Sequence, residues 1–487
     1  MNIVFKEVKN SELYPFILTL VSVVLSLILA SFLDSSPNFF GSTMILIFIL
    51  SAQGVIHFMN KIMNVIFTPP FLANGDVKMF HKYKKASMIL AIFPPLYLVF
   101  NFAIVAFVGP VILLLVLFVV NFNRTKRIKI NTVRYLSENN IDHFIFTSGC
   151  AGNAYQTNQW IPVLEKSEHS FAIIVKHFSI ANAIDAGGIP IFVAPSMHSM
   201  EGLIQDNTRS ILYTGNSINN VQLLRFTQLK HIFINHGESD KVVNQNKFMM
   251  SYDHLFLGGK LAEDRLREAG CDLRPNQPVF IGRPQAELFL EKRKPGHTEI
   301  RKILYAPTWE GVVDDADYSS VRLDGLEMLE KLLEDSRYEI SVKFHPLTGS
   351  RNADRAVFMK KIEELASNSN LTVYPSDKPI QDLMNWSDAM ICDISSVLND
   401  YLYTSKPMAL TAFERALAND QIEKTPSSKA CYSLEKGDEI TEIINKMADE
   451  DQEQIDRREE VLEYSLSASK GSSLKRFDNA LHAISVD

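Results

Sequence analysis

The chain has 487 residues, 46% of them hydrophobic, and a formal net charge of -7. It is too long for one ordinary domain, and it has no basic excess with which to displace counterions from a nucleic-acid backbone; two or three domains are expected and a nucleic-acid partner is not. Its four cysteines, Cys150, Cys271, Cys392 and Cys431, are scattered without a C-x-x-C pair, which argues against a zinc knuckle or a disulfide framework and suits a reducing compartment.

The first 129 residues differ in texture from the rest. Tyr14 to Leu33, Thr43 to Met59 and Ser87 to Val120 contain no Asp, Glu, Lys or Arg. Apolar runs of about 20 residues match the length that a helix needs to cross a hydrocarbon layer of roughly 30 Å. At about 1.5 Å per residue the third run would make a helix of about 50 Å, too long for one crossing, so it is expected to turn back near Pro94-Pro95, Asn101 or Gly109-Pro110. Lys61, Lys78, Lys82, Lys84 and Lys85 precede this run, and Arg124, Lys126, Arg127 and Lys129 follow it, which places both flanks on the cytoplasmic side. The expectation is a membrane domain over 1–129 with about four transmembrane helices and both ends in the cytoplasm. A cleaved leader would not explain the apolar runs behind the first one.

From about Ile130 the pattern becomes one of short apolar runs separated by stretches of helical spacing, the alternation of βαβ units. Strands are predicted at His143 to Thr147, Phe171 to Val175, Ile189 to Val193, Ile211 to Tyr213, His231 to Ile234, His254 to Leu257 and Val279 to Ile281. A second series follows at Ile303 to Ala306, Ile340 to Phe344, Leu371 to Tyr374, Ala389 to Cys392 and Met408 to Leu410. Their near-continuous apolarity favours buried parallel sheets. The charged segment from Glu291 to His297, with its Pro-Gly pair, reads as an exposed connection, so the α/β part is divided into Rossmann-type domains over 130–295 and 296–487. The helix-forming tail from about Asp449 is expected to brace the two halves.

In open α/β sheets ligands sit beyond the carboxyl ends of strands, so the residues there are the informative ones. Asn235-His-Gly-Glu-Ser-Asp-Lys241 follows a strand; His236 is suited to accept a proton near neutral pH, Gly237 permits close approach, and Lys241 can balance phosphate charge. A histidine that merely caps a loop is the competing reading. Lys343-Phe-His-Pro346 ends another strand, with Pro346 stopping the pairing just after His345, and a strand-end histidine taken alone is more often structural. Cys392-Asp-Ile-Ser-Ser-Val397 leads into a helix whose start, with Ser395 and Ser396, offers donors to a diphosphate, although for this motif taken alone ordinary N-capping is the better explanation. Tyr305-Ala-Pro-Thr-Trp309 and Gly282-Arg-Pro284 close two further strands and would turn Thr308 and Arg283 toward a cleft. Zinc-hydrolase, P-loop and serine-esterase motifs are absent from the sequence, and neither a metal nor a cofactor is indicated.

The ordered set HGESDK, YAPTW, KFHP and CDISSVLND resembles the signature of the CDP-glycerol glycerophosphotransferase family, over roughly residues 145 to 480. The resemblance implies a GT-B-like pair of Rossmann-type domains, a CDP-alditol donor, a lipid-linked or polymeric acceptor, and transfer of a phosphoalditol to a hydroxyl of a cell-wall or surface polymer precursor with release of CMP. It implies catalytic roles for His236 and His345. Donor and phosphate contacts would come from Asp393, Ser395 and Ser396, and also from Lys241, Arg283, Thr308 and Lys343. The chain departs from the family pattern at Asn235, where an aromatic is more usual, at Glu238-Ser239-Asp240, and at Glu310, where a basic residue is more usual. Two other classes fit the same architecture: a glycosyltransferase using a nucleotide sugar, and a non-catalytic membrane scaffold. With the membrane segment, the expected location is the cell membrane, multi-pass, with the catalytic part on the cytoplasmic face.

Overall fold

The computed structural model describes residues 119, 123, 126–127, 130–237, 247–293, 299–311, 317–367, 369–375, 378–413 and 426–486. The three apolar runs lie outside the described residues except for Val119, as does Lys241. Among the described residues no helix is long and apolar enough to cross a membrane.

The described chain groups into two compact units, one reaching to Tyr155 and including Ser170–Thr208, the other made of Gln156–His169 and Arg209–Asp487. In the first unit β1 (His143–Thr147), β2 (Phe171–Val175) and β3 (Ile191–Val193) run parallel in the order β3-β2-β1. In the second, β4 (Ser210–Tyr213), β5 (Lys230–Phe233), β6 (His254–Leu257) and β7 (Pro278–Phe280) are parallel neighbours in sequence order.

The second unit also holds a six-stranded sheet of β8 (Lys302–Ala306), β9 (Glu339–Val342), β10 (Leu371–Val373), β11 (Ala389–Cys392), β12 (Met408–Ala412) and β13 (Tyr432–Glu435). All its pairings are parallel, in the order β10-β9-β8-β11-β12-β13. This is the doubly wound order, which reverses direction between β8 and β11. All twelve predicted strands form, several with ends displaced by one or two residues. The strand not predicted, β13, lies at an edge and buries only Leu434 fully, so it leaves no apolar run in the sequence.

The continuous apolarity of β8, β11 and β12 follows from burial on both faces. Ile303, Tyr305, Ala389, Ile391 and Ala409 point to one side, where Leu326, Leu329 and Leu332 of the Leu323–Leu333 helix and Ile443, Ile444 and Met447 of the Ile440–Ala448 helix cover them. Their neighbours Leu304, Ala306, Met390, Cys392, Met408 and Leu410 point to the other, against Leu383, Met384, Leu398, Tyr401, Val461, Leu462 and Leu466. Period-two alternation between two apolar layers leaves no polar positions to mark the strand.

The tail packs within the second unit. Its Gln452–Leu466 helix adds Val461, Leu462 and Leu466 to the six-stranded core, while the Tyr464 hydroxyl donates to Asp264 at 2.8 Å beside β6. Phe477, fully buried, packs on Trp160 and Phe256 at centroid distances of 5.3 and 6.0 Å. Burial of one such ring stabilises the fold by about 2–3 kcal/mol.

Candidate active site

The reversal between β8 and β11 brings two strand ends side by side, Ala306 leading to Pro307-Thr308-Trp309-Glu310 and Cys392 leading to Asp393-Ile394-Ser395-Ser396. Asp393, fully buried, ties them together. It accepts from the backbone N–H of Thr308 at 2.7 Å and of Ser320 at 3.1 Å, and from the Thr411 hydroxyl on β12. Burial raises its carboxyl above the usual range, against the pull of these hydrogen bonds. The carboxylate expected at the donor is thus turned onto the protein, where it sets the geometry of the loops.

The Asn235-His236-Gly237 turn follows β5. Asn235 has φ 52, a left-handed conformation that Asn tolerates better than most residues. Its side chain closes the turn, with Oδ1 accepting from the His236 N–H at 2.9 Å and Nδ2 donating to the Gly237 carbonyl at 2.7 Å. Its own carbonyl accepts from Trp160 Nε1 at 2.5 Å. The departure from the family pattern at this position therefore has a local cause, although nothing in the sequence marked Asn235 as a hinge for His236.

His236 Nδ1 lies 3.0 Å from the carbonyl of Thr214, just past β4. A carbonyl can only accept, so Nδ1 carries the proton and the lone pair is on Nε2. Burial drives its pKa down to about 4, the Thr214 carbonyl opposes the shift, and the nearby Arg283 guanidinium lowers it further. The ring is neutral at physiological pH.

Arg283 is buried and acts behind this turn. Its Nε donates to Asp400 Oδ1 at 2.9 Å, and its Nη2 donates to the His236 carbonyl at 2.8 Å and to Gln159 Oε1 at 3.2 Å. Asp400 belongs to the Ser396–Tyr401 helix, so one guanidinium links the histidine turn to the element that opens with the paired serines. The Nε and Nη2 of Arg283 point at protein acceptors, which gives it a positioning role beside the donor contact expected of it. Asp400, which completes this link, was quoted in the sequence motif without a role.

The serines meet the same turn. A β-carbon built on Gly237 would lie 3.0 Å from Ser396 Cβ and 3.1 Å from Ser396 Oγ, so the HG turn and the Ser-Ser loop are in direct contact. Ser395 stands at the helix start but does not cap it, and its buried Oγ has no hydrogen-bond partner among the described residues. The N-capping explanation therefore does not describe this side chain.

On the other side of Thr308, Trp309 stacks on His345, with centroids 5.8 Å apart and planes 16° from parallel. The backbone N–H of Leu347 donates to His345 Nδ1 at 3.1 Å, so a neutral His345 carries its proton on Nε2. The two histidines thus have opposite tautomers, His236 with a lone pair at Nε2 and His345 with a hydrogen there. Lys343 reaches the Pro375 carbonyl with its Nζ at 3.2 Å. Contacts and short chain links join His236, Gly237, Ser396, Asp393, Thr308, Trp309 and His345 in one run, Asp393 and Ser396 being three residues apart on the same loop. Trp309 had only its place in the YAPTW motif to recommend it.

Residues 285–482, which carry most of this run, match the family model of CDP-Glycerol:Poly(glycerophosphate) glycerophosphotransferase. Over that stretch the chain is similar to the CDP-glycerol glycerophosphotransferase family. The motif resemblance is borne out. The glycerophosphotransferase match takes in Thr308, Lys343, His345, Asp393, Ser395 and Ser396, and begins after His236 and Arg283. The chain is 26% identical over 205 residues to the teichoic acid glycerol-phosphate primase of Bacillus spizizenii, covering 38% of this chain and 49% of that protein. It is 25% identical over 181 residues to the teichoic acid glycerol-phosphate transferase of Staphylococcus aureus, covering 37% of this chain and 40% of that one. The matches thus span about half or less of the length of these relatives. Among solved structures, the wall teichoic acid polymerase TagF aligns at 14% identity with a TM-score of 0.47, over 71% of this chain and 89% of that one.

Proposed function

We propose that this protein is a transferase that moves a phosphoalditol, with glycerol phosphate as the leading candidate, from a CDP-linked donor to a hydroxyl of a cell-wall or surface polymer precursor. The observation that carries this reading is the contact of Gly237 with Ser396, which sets a neutral imidazole with its lone pair on Nε2 beside the loop of the unpartnered Ser395 hydroxyl, at the switch point of a doubly wound sheet. The glycerophosphotransferase match over residues 285–482 supports the donor class.

In this reaction an acceptor oxygen attacks the donor's β-phosphorus. A new P–O bond forms as the bond from that phosphorus to the bridging oxygen breaks, and CMP leaves with the bridging oxygen. The acceptor's proton passes to His236 Nε2. An imidazole with a pKa of about 4 is a weak base, but two phosphates brought next to it favour its protonated form and raise that value toward neutrality. His345, with its hydrogen on Nε2, donates to a phosphate oxygen as charge builds up on the leaving group. Ser395, Ser396, Thr308, Lys343 and Lys241 are assigned to the donor. Arg283 and Asp393 hold the loops that carry these groups.

The same proposal includes the membrane segment. The uncharged runs of residues 1–129 and their basic flanks support about four crossings, with the transferase domains, 130–295 and 296–487 in a GT-B-like pair, on the cytoplasmic face, where they would meet a lipid-linked or polymeric acceptor. The test is CMP release by the purified full chain offered CDP-glycerol, CDP-ribitol and UDP-sugars side by side. Turnover with a CDP-alditol that is lost in both His236→Ala and His345→Ala is expected. Turnover with a UDP-sugar alone, or normal CMP release by either variant, would sink the reading.

A further inference from the structure

Glu310 follows Trp309 directly and is 1% exposed. Its carboxylate accepts from three turn N–H groups on the loop behind His345: Gly349 at 3.0 Å, Arg351 at 2.8 Å and Asn352 at 3.0 Å. Thr348 N–H returns to the His345 carbonyl at 2.9 Å, and Gly349 takes φ +76 with Ala356 close behind it. Burial alone would raise the Glu310 carboxyl, but the N–H groups of Asn352, Arg351 and Gly349 outweigh it and hold the group below its usual range, so it stays charged.

The segment Trp309-Glu310 thus grips the histidine loop at two points, the indole on the face of the imidazole and the carboxylate on the backbone four to seven residues beyond it. Between the two grips lies the Leu347 N–H that bonds His345 Nδ1. We propose that Glu310 is a positioning residue, whose carboxylate fixes the 349–352 turn so that the Leu347 N–H meets Nδ1 of His345 and keeps the imidazole hydrogen on Nε2, facing the transferred phosphate. This rests on the role given to His345 above. A glutamate where the family pattern more often has a basic residue is therefore an anchor for the loop, and it adds no contact to the donor.

The test uses the full chain labelled with ¹⁵N-histidine, the His345 signals being identified by their loss in His345→Gln. In the wild type Nδ1 should show the shift of an unprotonated ring nitrogen and Nε2 that of an N–H. In Glu310→Gln the new amide faces backbone donors with its own hydrogens, and the tautomers should mix. CMP release from CDP-glycerol should then fall roughly 10- to 100-fold in kcat, with KM changed by no more than about two-fold. Glu310→Asp keeps the charge and should recover part of both signals, which separates positioning from a failure to fold. An unmixed tautomer and unchanged kcat in Glu310→Gln would overturn the proposal. Mixed tautomers with unchanged kcat would uphold the anchor and instead remove His345 from the reaction.

Discussion

Gly237 lies so close to Ser396 that a β-carbon at residue 237 would stand 3.0 Å from Ser396 Cβ, and the serine would have to give by a few tenths of an ångström to admit it. Gly237 has no left-handed backbone to protect, so the constraint is one of space alone. Gly237→Ala should push the histidine turn off the serine loop and lower CMP release roughly 10-fold or more. Adding Ser396→Gly removes the opposing carbon, so the double variant should regain packing that Gly237→Ala lost. Additive losses in this double-mutant cycle would show that the two residues are not coupled.

Ser395 offers a clean separation of stability from binding. Its buried hydroxyl has no partner among the described residues, a state that costs about 1–3 kcal/mol. Ser395→Ala should therefore melt no lower than the wild type, while KM for CDP-glycerol rises roughly 10-fold through loss of a donor contact. A lower melting temperature with unchanged KM would make the hydroxyl structural.

The depressed pKa of His236 predicts a pH dependence of stability. The folded group titrates at about 4 and the unfolded one near 6.5, so between those values the unfolded chain binds the extra proton. Stability from this residue is complete above about 6.5 and declines as the pH falls toward 4. His236→Asn should flatten this part of the curve in denaturant titrations from pH 4 to 7. An unaltered slope would show that the ring is not buried as a neutral species.

The Arg283 and Asp400 pair is buried, with side chains 6% and 12% exposed and a 2.9 Å contact. Removing one partner leaves an uncompensated charge and costs about 3–5 kcal/mol, so Arg283→Met should melt well below the wild type. Arg283→Met combined with Asp400→Leu removes both charges and should recover much of that loss, yet stay poor in CMP release because the His236 carbonyl has lost its donor. Full activity in the double variant would end the positioning role of Arg283.

Much of the fold could be read from the residues alone, because a strand buried on both faces is apolar along its buried length, as β2 and β11 are throughout and β1 and β8 are between their ends. The strand ends carrying His236, His345 and the paired serines were legible for the same reason. Edge strand β13 was not, since one buried leucine makes no pattern.

Partners across the chain could not be read at all. Asp393 and Arg283 look in sequence like phosphate-site residues, but the tertiary structure turns them onto Thr308, Ser320 and Thr411, and onto Asp400 and His236. Asn235 and Glu310 look in sequence like departures from a motif, whereas folding makes one the hinge of the His236 turn and the other the anchor of the His345 loop. Apart from the local bonds of Asn235, the physical reason is the same. Periodicity records which face of an element is buried, a property of neighbours in sequence. A hydrogen bond between residues dozens to more than a hundred positions apart depends on where the sheets bring their loops, and composition carries no trace of it.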